Sequence, residues 1–156
     1  MSDDAESVAA AIARLALGRG VTVAAAESLT GGAVSAALAK APDAGRWYAG
    51  SVTAYLSETK FRVLGVPRGP VVTPECAAAM AAGARELIGA DIAIALTGVG
   101  GPGDEEGRPP GTVFIATSEA DRGDVREFRF DGPPDEVVEQ AVDAALGLVL
   151  EHLRGR

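Results

Sequence analysis

Val21-Thr22-Val23-Ala24-Ala25-Ala26-Glu27-Ser28-Leu29-Thr30-Gly31-Gly32 is the stretch whose reading decides the fold. Val21 to Ala26 reads as a strand buried on both faces, ending at Glu27. Ser28 to Gly32 forms a turn, and Ala33 to Lys40 a short helix of small residues that Pro42 closes. A buried strand feeding a helix through a polar, glycine-rich turn is the opening unit of an α/β domain.

Upstream, a helix is expected from about Asp4 to Leu17, with Val8, Ile12 and Leu15 at helical spacing and Gly18 and Gly20 as the stop. Downstream, Trp47 to Tyr55 contains a second strand, and Ser57-Glu58 caps a helix that runs to Leu64. Thr73 is the N-cap of the next helix, with Pro74 at its first position and Glu75 complementing the dipole. Cys76, Met80 and Leu87 are expected on its inner face, which ends at Gly89. Asp91–Leu96 and Thr112–Thr117 read as apolar strands on either side of a glycine-rich loop, Thr97–Gly111. Val125–Phe130 alternates as a half-exposed antiparallel strand does. Asp131-Gly132-Pro133-Pro134 leads into a last helix with Val137, Val138, Ala141, Ala145 and Leu148 inward. The order of elements predicts an α/β fold: a mixed sheet of about five strands with helices on both faces, in one domain over residues 1–156.

Composition narrows the function. The 156 residues are 47% hydrophobic but only 4% aromatic, as suits helices packed closely on a sheet. A net charge of -8 argues against a protein built to bind nucleic-acid backbone. No apolar run is long enough to cross a bilayer, and the acidic start Met1-Ser2-Asp3-Asp4 has no signal-peptide pattern, so a cytoplasmic protein with no membrane partner is expected. One cysteine, Cys76, and one histidine, His152, cannot build a cysteine-rich zinc site or a two-histidine metal site in one chain. Metal-free hydrolysis would therefore rely on a lysine or a carboxylate as base. Among the fourteen basic residues only Lys40 and Lys60 are lysines, and lysine, unlike arginine, can be deprotonated when its surroundings depress its pKa.

Two patterns mislead. Gly98-Val99-Gly100-Gly101-Pro102-Gly103 matches the dinucleotide fingerprint letter for letter, but the prolines and glycines that follow forbid the helix the fingerprint needs. Its glycines still allow backbone amides to approach an anion. Tyr55 and Lys60 are five apart across a strand end and a helix start, not four apart on one helix as in short-chain dehydrogenases.

The chemistry-bearing segments are Glu27 to Gly32, Tyr55 to Lys60, and Thr97-Gly98. With Ser28 and Tyr55 at neighbouring strand ends, Ser28 is placed as nucleophile, Lys60 as base and Tyr55 as bridge. The amides of Thr30, Gly31 or Gly32 are candidate oxyanion donors. Plainer readings stand beside these. Ser28 and Thr30 are good N-caps, the glycines permit close packing, Lys60 is a solvated side chain, Glu27 pairs with an arginine, and Asp104-Glu105-Glu106 is an acidic surface run more than a metal site.

Taken together, Ala26 to Gly32, Tyr55 to Lys60, Leu64-Gly65-Val66, Thr97 to Pro102 and Pro110-Gly111-Thr112-Val113 resemble the CinA C-terminal family, the nicotinamide-mononucleotide amidohydrolases, over about Ala5 to Leu150. The resemblance implies a three-layer α/β/α sandwich and deamidation of nicotinamide mononucleotide to nicotinate mononucleotide and ammonia. It carries the serine–lysine site onto Ser28 and Lys60 with Tyr55 beside them. It implies a nucleotide held by Glu27, Thr30, Gly31, Gly32, Ser57, Thr97, Gly98, Gly100 and Gly101, without metal or cofactor, in a homo-oligomer. The chain departs from the family pattern at Ser57, where asparagine is usual, at Ser51, where a glycine is common, and in a shorter loop from Gly103 to Arg108. It also departs at Pro134 and Val138, where arginines that could hold a phosphate are usual. Arg108, Arg126 and Arg129 are possible substitutes. A non-catalytic nucleotide-binding or oligomeric accessory domain is the alternative reading.

Overall fold

The computed structural model describes residues 6–155. Among these residues five α-helices flank one five-stranded sheet of order β2-β1-β3-β4-β5, where β1 is Val23–Glu27, β2 Tyr48–Thr53, β3 Ile92–Gly98, β4 Thr112–Glu119 and β5 Arg122–Arg129. β1 pairs in parallel with β2 and β3, while β3, β4 and β5 run antiparallel. The sheet is mixed, as expected. β5 begins three residues before the expected start because its pairing with β4 continues to Arg122, opposite Glu119 across a tight turn.

The helices are α1 Val8–Arg19, α2 Ala33–Ala39, α3 Ser57–Leu64, α4 Pro74–Ile88 and α5 Pro134–Gly155. The expected start of α1 at Asp4 lies outside the described residues. Ser7 caps the helix by accepting a hydrogen bond from Ala10 N, and the helix passes through Gly18 to end at Gly20. Thr73 caps α4 as expected, its hydroxyl accepting from Cys76 N. Two expectations are corrected. Ser57 is the first helical residue of α3, and Leu56 holds the cap position without a side-chain bond. Leu87 points outward, 57% exposed, whereas Met80 and Cys76 are buried.

Strand alternation sorts the core into two layers of different residue size. Val23, Ala25, Ile92, Ile94, Leu96, Val113 and Ile115 face α1, α2 and α5. Ala24, Ala26, Ala93, Ala95 and Ala116 face α4, whose own inner surface is Cys76, Ala77, Met80, Ala81 and Ala84. Small residues on both sides let α4 approach the sheet closely, which accounts for an apolar fraction dominated by alanine. The same closeness recurs between α3 and α4. A Cβ on Gly83 would lie 2.0 Å from Leu64 O.

β1 is the point where the chain's winding reverses. The connection from β1 to β2 runs through α2 on one face, and the return from β2 to β3 runs through α3 and α4 on the other. In open α/β sheets a crevice forms outside the carboxyl ends of the strands at such a point. Ser28 follows β1 and Gly98 ends β3, so both lie at that crevice.

Among the described residues no helix is long and apolar enough to cross a membrane. Replacing Gly83 by alanine sets a gain in helix propensity of roughly 1 kcal/mol against a backbone clash. Separation of α3 from α4 should prevail, and urea denaturation is expected to show a net loss of about 1–3 kcal/mol.

Candidate active site

The local sequence after β1 folds around one carboxylate. Glu27 is fully buried, yet among the described residues no cation pairs with it. Its Oε1 accepts from Thr30 Oγ1 at 2.5 Å, Gly32 N at 3.1 Å and Val34 N at 3.0 Å, and its Oε2 accepts from Ser35 N at 2.7 Å. Ala33 N donates to Thr30 O. The amides that open α2 are thereby satisfied by the residue that ends β1, and the negative charge sits at the positive end of the helix. Glu27 was expected either at the ligand or with an arginine. It does neither, because the short turn brings its side chain back onto the helix start.

This capping revises the oxyanion expectation. Gly32 N is bound to Glu27 and Gly31 N donates to Ser28 O at 3.0 Å, so neither is free for a substrate. Of the three amides expected there, Thr30 N alone has no acceptor among the described residues. The Thr30 hydroxyl is committed to Glu27.

Ser28 lines a cleft of about 400 Å³, within the size range of small-molecule sites. The residue is 7% exposed, and its hydroxyl has no hydrogen-bond partner among the described residues. Among those residues no buried side-chain polar atom lacks a partner, so this hydroxyl must open onto the cleft. Tyr55, Gly98, Gly100 and Gly101 line the same cleft. A Cβ on Gly98 would stand 2.5 Å from Thr112 O, so its glycine serves the tight β3–β4 contact.

Lys60 is 2% exposed. Its Nζ donates to Ala54 O at 2.9 Å and to Tyr55 O at 3.2 Å. Burial pushes the amine below the ordinary lysine range, partly offset by Cys76, Glu105 and Glu106. No hydrogen bond joins it to Ser28 among the described residues. The link between them runs through the strand end: Ala54 N donates to Glu27 O at 2.8 Å, directly before Ser28, and Tyr55 borders the cleft. Tyr55 was expected to bridge through its hydroxyl. Its side chain is instead 67% exposed at the rim, and its backbone carbonyl is what reaches Lys60.

Other expected ligand contacts are placed elsewhere. Ser57 is exposed and does not line the cleft. Thr97 is buried, donating from Oγ1 to Val71 O at 2.7 Å. Cys76 is a core residue whose thiol is pushed up by burial. His152 bonds Glu119 at 2.8 Å, and Glu119 pairs with Ile92 at the far end of β3 from Gly98.

Four groups that build the cleft were not assigned to it from sequence: Leu29, Gly103, the carboxyl-bearing Asp104 and Glu105, and the α5 start at Pro134 and Val138. The last pair had been visible as departures from a family pattern, but only the fold brings them beside Ser28. Arg108, Arg126 and Arg129 do not replace them. Arg108 lies over the Phe114 ring, Arg126 pairs with Glu151 and Asp124, and Arg129 pairs with Glu127. Glu106, once grouped with Asp104 and Glu105, accepts from Val71 N and Val72 N. No group of three or more His, Cys, Asp or Glu residues is placed to hold a metal ion among the described residues.

The family model for the CinA C-terminal domain matches residues 5–153. A CinA-like protein from Geobacter metallireducens is 37% identical over 143 residues, 88% of this chain and 35% of that protein. The chain spans between 33% and 39% of the length of the first curated relatives it matches. Among solved structures, a competence-damaged protein (CinA) superfamily protein from Klebsiella pneumoniae is 35% identical with a TM-score of 0.91, covering 96% of this chain and 97% of its own. One from Escherichia coli is 31% identical with a TM-score of 0.90, covering 96% and 91%.

Glu27→Gln exchanges a carboxylate oxygen for a donor facing an amide. A loss of roughly 2–3 kcal/mol in chemical denaturation is expected. For Lys60, a folded pKa below the unfolded value of about 10.4 means the unfolded chain binds more protons between the two values. The penalty is full below the folded pKa and is relieved as pH rises towards the unfolded one. The stability of the wild type relative to Lys60→Met should therefore increase across that alkaline window, measured by urea midpoints at successive pH values.

Proposed function

Because this chain belongs to the CinA C-terminal domain family, we propose that it is an amidohydrolase in which Ser28 attacks the carboxamide of nicotinamide mononucleotide. The observation that carries this reading is the unpartnered Ser28 hydroxyl, opening onto a cleft lined also by Tyr55, whose carbonyl holds the desolvated amine of Lys60.

The reaction divides into two proton-balanced halves. Lys60, neutral, has two N–H groups for the carbonyls of Ala54 and Tyr55 and keeps its lone pair. It takes the Ser28 proton as the oxygen bonds to the carboxamide carbon. Gly100 and Gly101 line the cleft, and their amides are the donors assigned to the developing oxyanion. The carbon–nitrogen bond breaks, the proton passes from Lys60 to the departing ammonia, and an ester remains on Ser28. Water then adds with Lys60 again as base, releasing nicotinate mononucleotide and the free hydroxyl. Tyr55 enters by orienting the amine through its carbonyl, with its ring at the cleft mouth to meet the substrate.

A non-catalytic nucleotide-binding domain is the second reading, favoured by the absence of a direct Ser28–Lys60 hydrogen bond. Ammonia release from nicotinamide mononucleotide separates the two. Turnover by the wild type is expected, with kcat/KM reduced about 10²–10⁴-fold in Ser28→Ala and in Lys60→Ala. Binding without turnover, or undiminished turnover in both variants, rejects the mechanism.

A further inference from the structure

We infer that the cleft selects its substrate by the positive charge of an N-substituted pyridine carboxamide and not by a phosphate, so that the nucleoside is accepted at least as well as the nucleotide. This rests on the hydrolase reading above and specifies its substrate class.

The cleft that receives the Ser28 hydroxyl is lined by two carboxyl-bearing residues, Asp104 and Glu105, and among the described residues by no lysine, arginine or histidine. Pro134 and Val138, at the start of α5, line the same cleft. That helix start is a poor anion site. Pro134 has no N–H, the amides of Glu136 and Val137 both donate to Pro133 O, and the first turn carries Asp135 and Glu136. Arginines on neighbouring elements are held elsewhere: Arg108 on the Phe114 ring, Arg68 on Glu58 and Arg129 on Glu127. A phosphate dianion entering the cleft would therefore meet glycine amides and two like charges. A pyridinium ring, which is cationic and flat, would meet a lining that combines carboxyl-bearing residues with the apolar Leu29 and Val138. Ser28 shares this cleft with Asp104 and Glu105, so a carboxamide presented to its hydroxyl brings the ring into a cleft with an acidic lining.

The test measures ammonia release by the full chain from nicotinamide riboside and from nicotinamide mononucleotide, with calorimetric binding of both compounds to the Ser28→Ala variant. A kcat/KM for the riboside equal to or above that for the mononucleotide is expected. Asp104→Asn with Glu105→Gln should lower riboside turnover about tenfold while leaving the mononucleotide less affected. Val138→Arg should raise mononucleotide turnover alone. A mononucleotide preference of tenfold or more overturns this inference and leaves the hydrolase reading standing. If neither compound releases ammonia, the hydrolase reading fails and calorimetry decides the inference. Tighter riboside binding upholds it; tighter mononucleotide binding, or none of either, overturns it.

Discussion

The carboxylate of Glu27, fully buried and holding the amides of Gly32, Val34 and Ser35 and the hydroxyl of Thr30, is the constraint on which the site depends. A buried charge without a cation is costly unless hydrogen bonds surround it. Here the opening of α2 supplies them, and in return the helix loses the unsatisfied amides that would otherwise face the core. The arrangement ties the end of β1 to the start of α2 with four residues between Glu27 and Gly32. Ser28, caught in that turn, has no freedom to cap the helix itself. Its hydroxyl is therefore left for the cleft.

The second constraint is layer asymmetry. Valine, isoleucine and leucine on one face of the sheet hold α1, α2 and α5, while alanines on the other admit α4 closely. The tight layer draws α3 against α4 and so sets where the Lys60 side chain can go. With the core already filled, its amine finds the carbonyls of Ala54 and Tyr55 at the end of the second strand. Desolvation there is a by-product of packing, and it shifts the amine in the direction a general base needs.

Much of the fold was legible in the chain. The apolar run Val21–Ala26, the Thr73-Pro74-Glu75 signal and the alternation around Val125–Phe130 located a buried strand, a helix start and an antiparallel strand from local pattern alone. The errors fell where pattern is weakest. Ser57 resembles a cap residue, but the chain enters α3 one residue earlier, and Leu87 keeps helical spacing while rotating away from the sheet. The site was legible only in part. Ser28, Tyr55, Gly98, Gly100 and Gly101 do line one cleft, whereas Glu27, Thr30 and Thr97 are spent on the protein's own hydrogen bonds.

By itself the sequence determined the order of elements, the two-faced sheet and the strand ends at which chemistry-bearing residues gather, because periodicity and turn chemistry are properties of near neighbours. Tertiary structure alone decided which polar groups remain available. Whether a carboxylate caps a helix, an amine meets two carbonyls, or Asp104 and Glu105 share a cleft with Val138 depends on the path of the whole chain. A hydrogen-bond partner, once found in space, removes a side chain from catalysis, and no local pattern records that encounter.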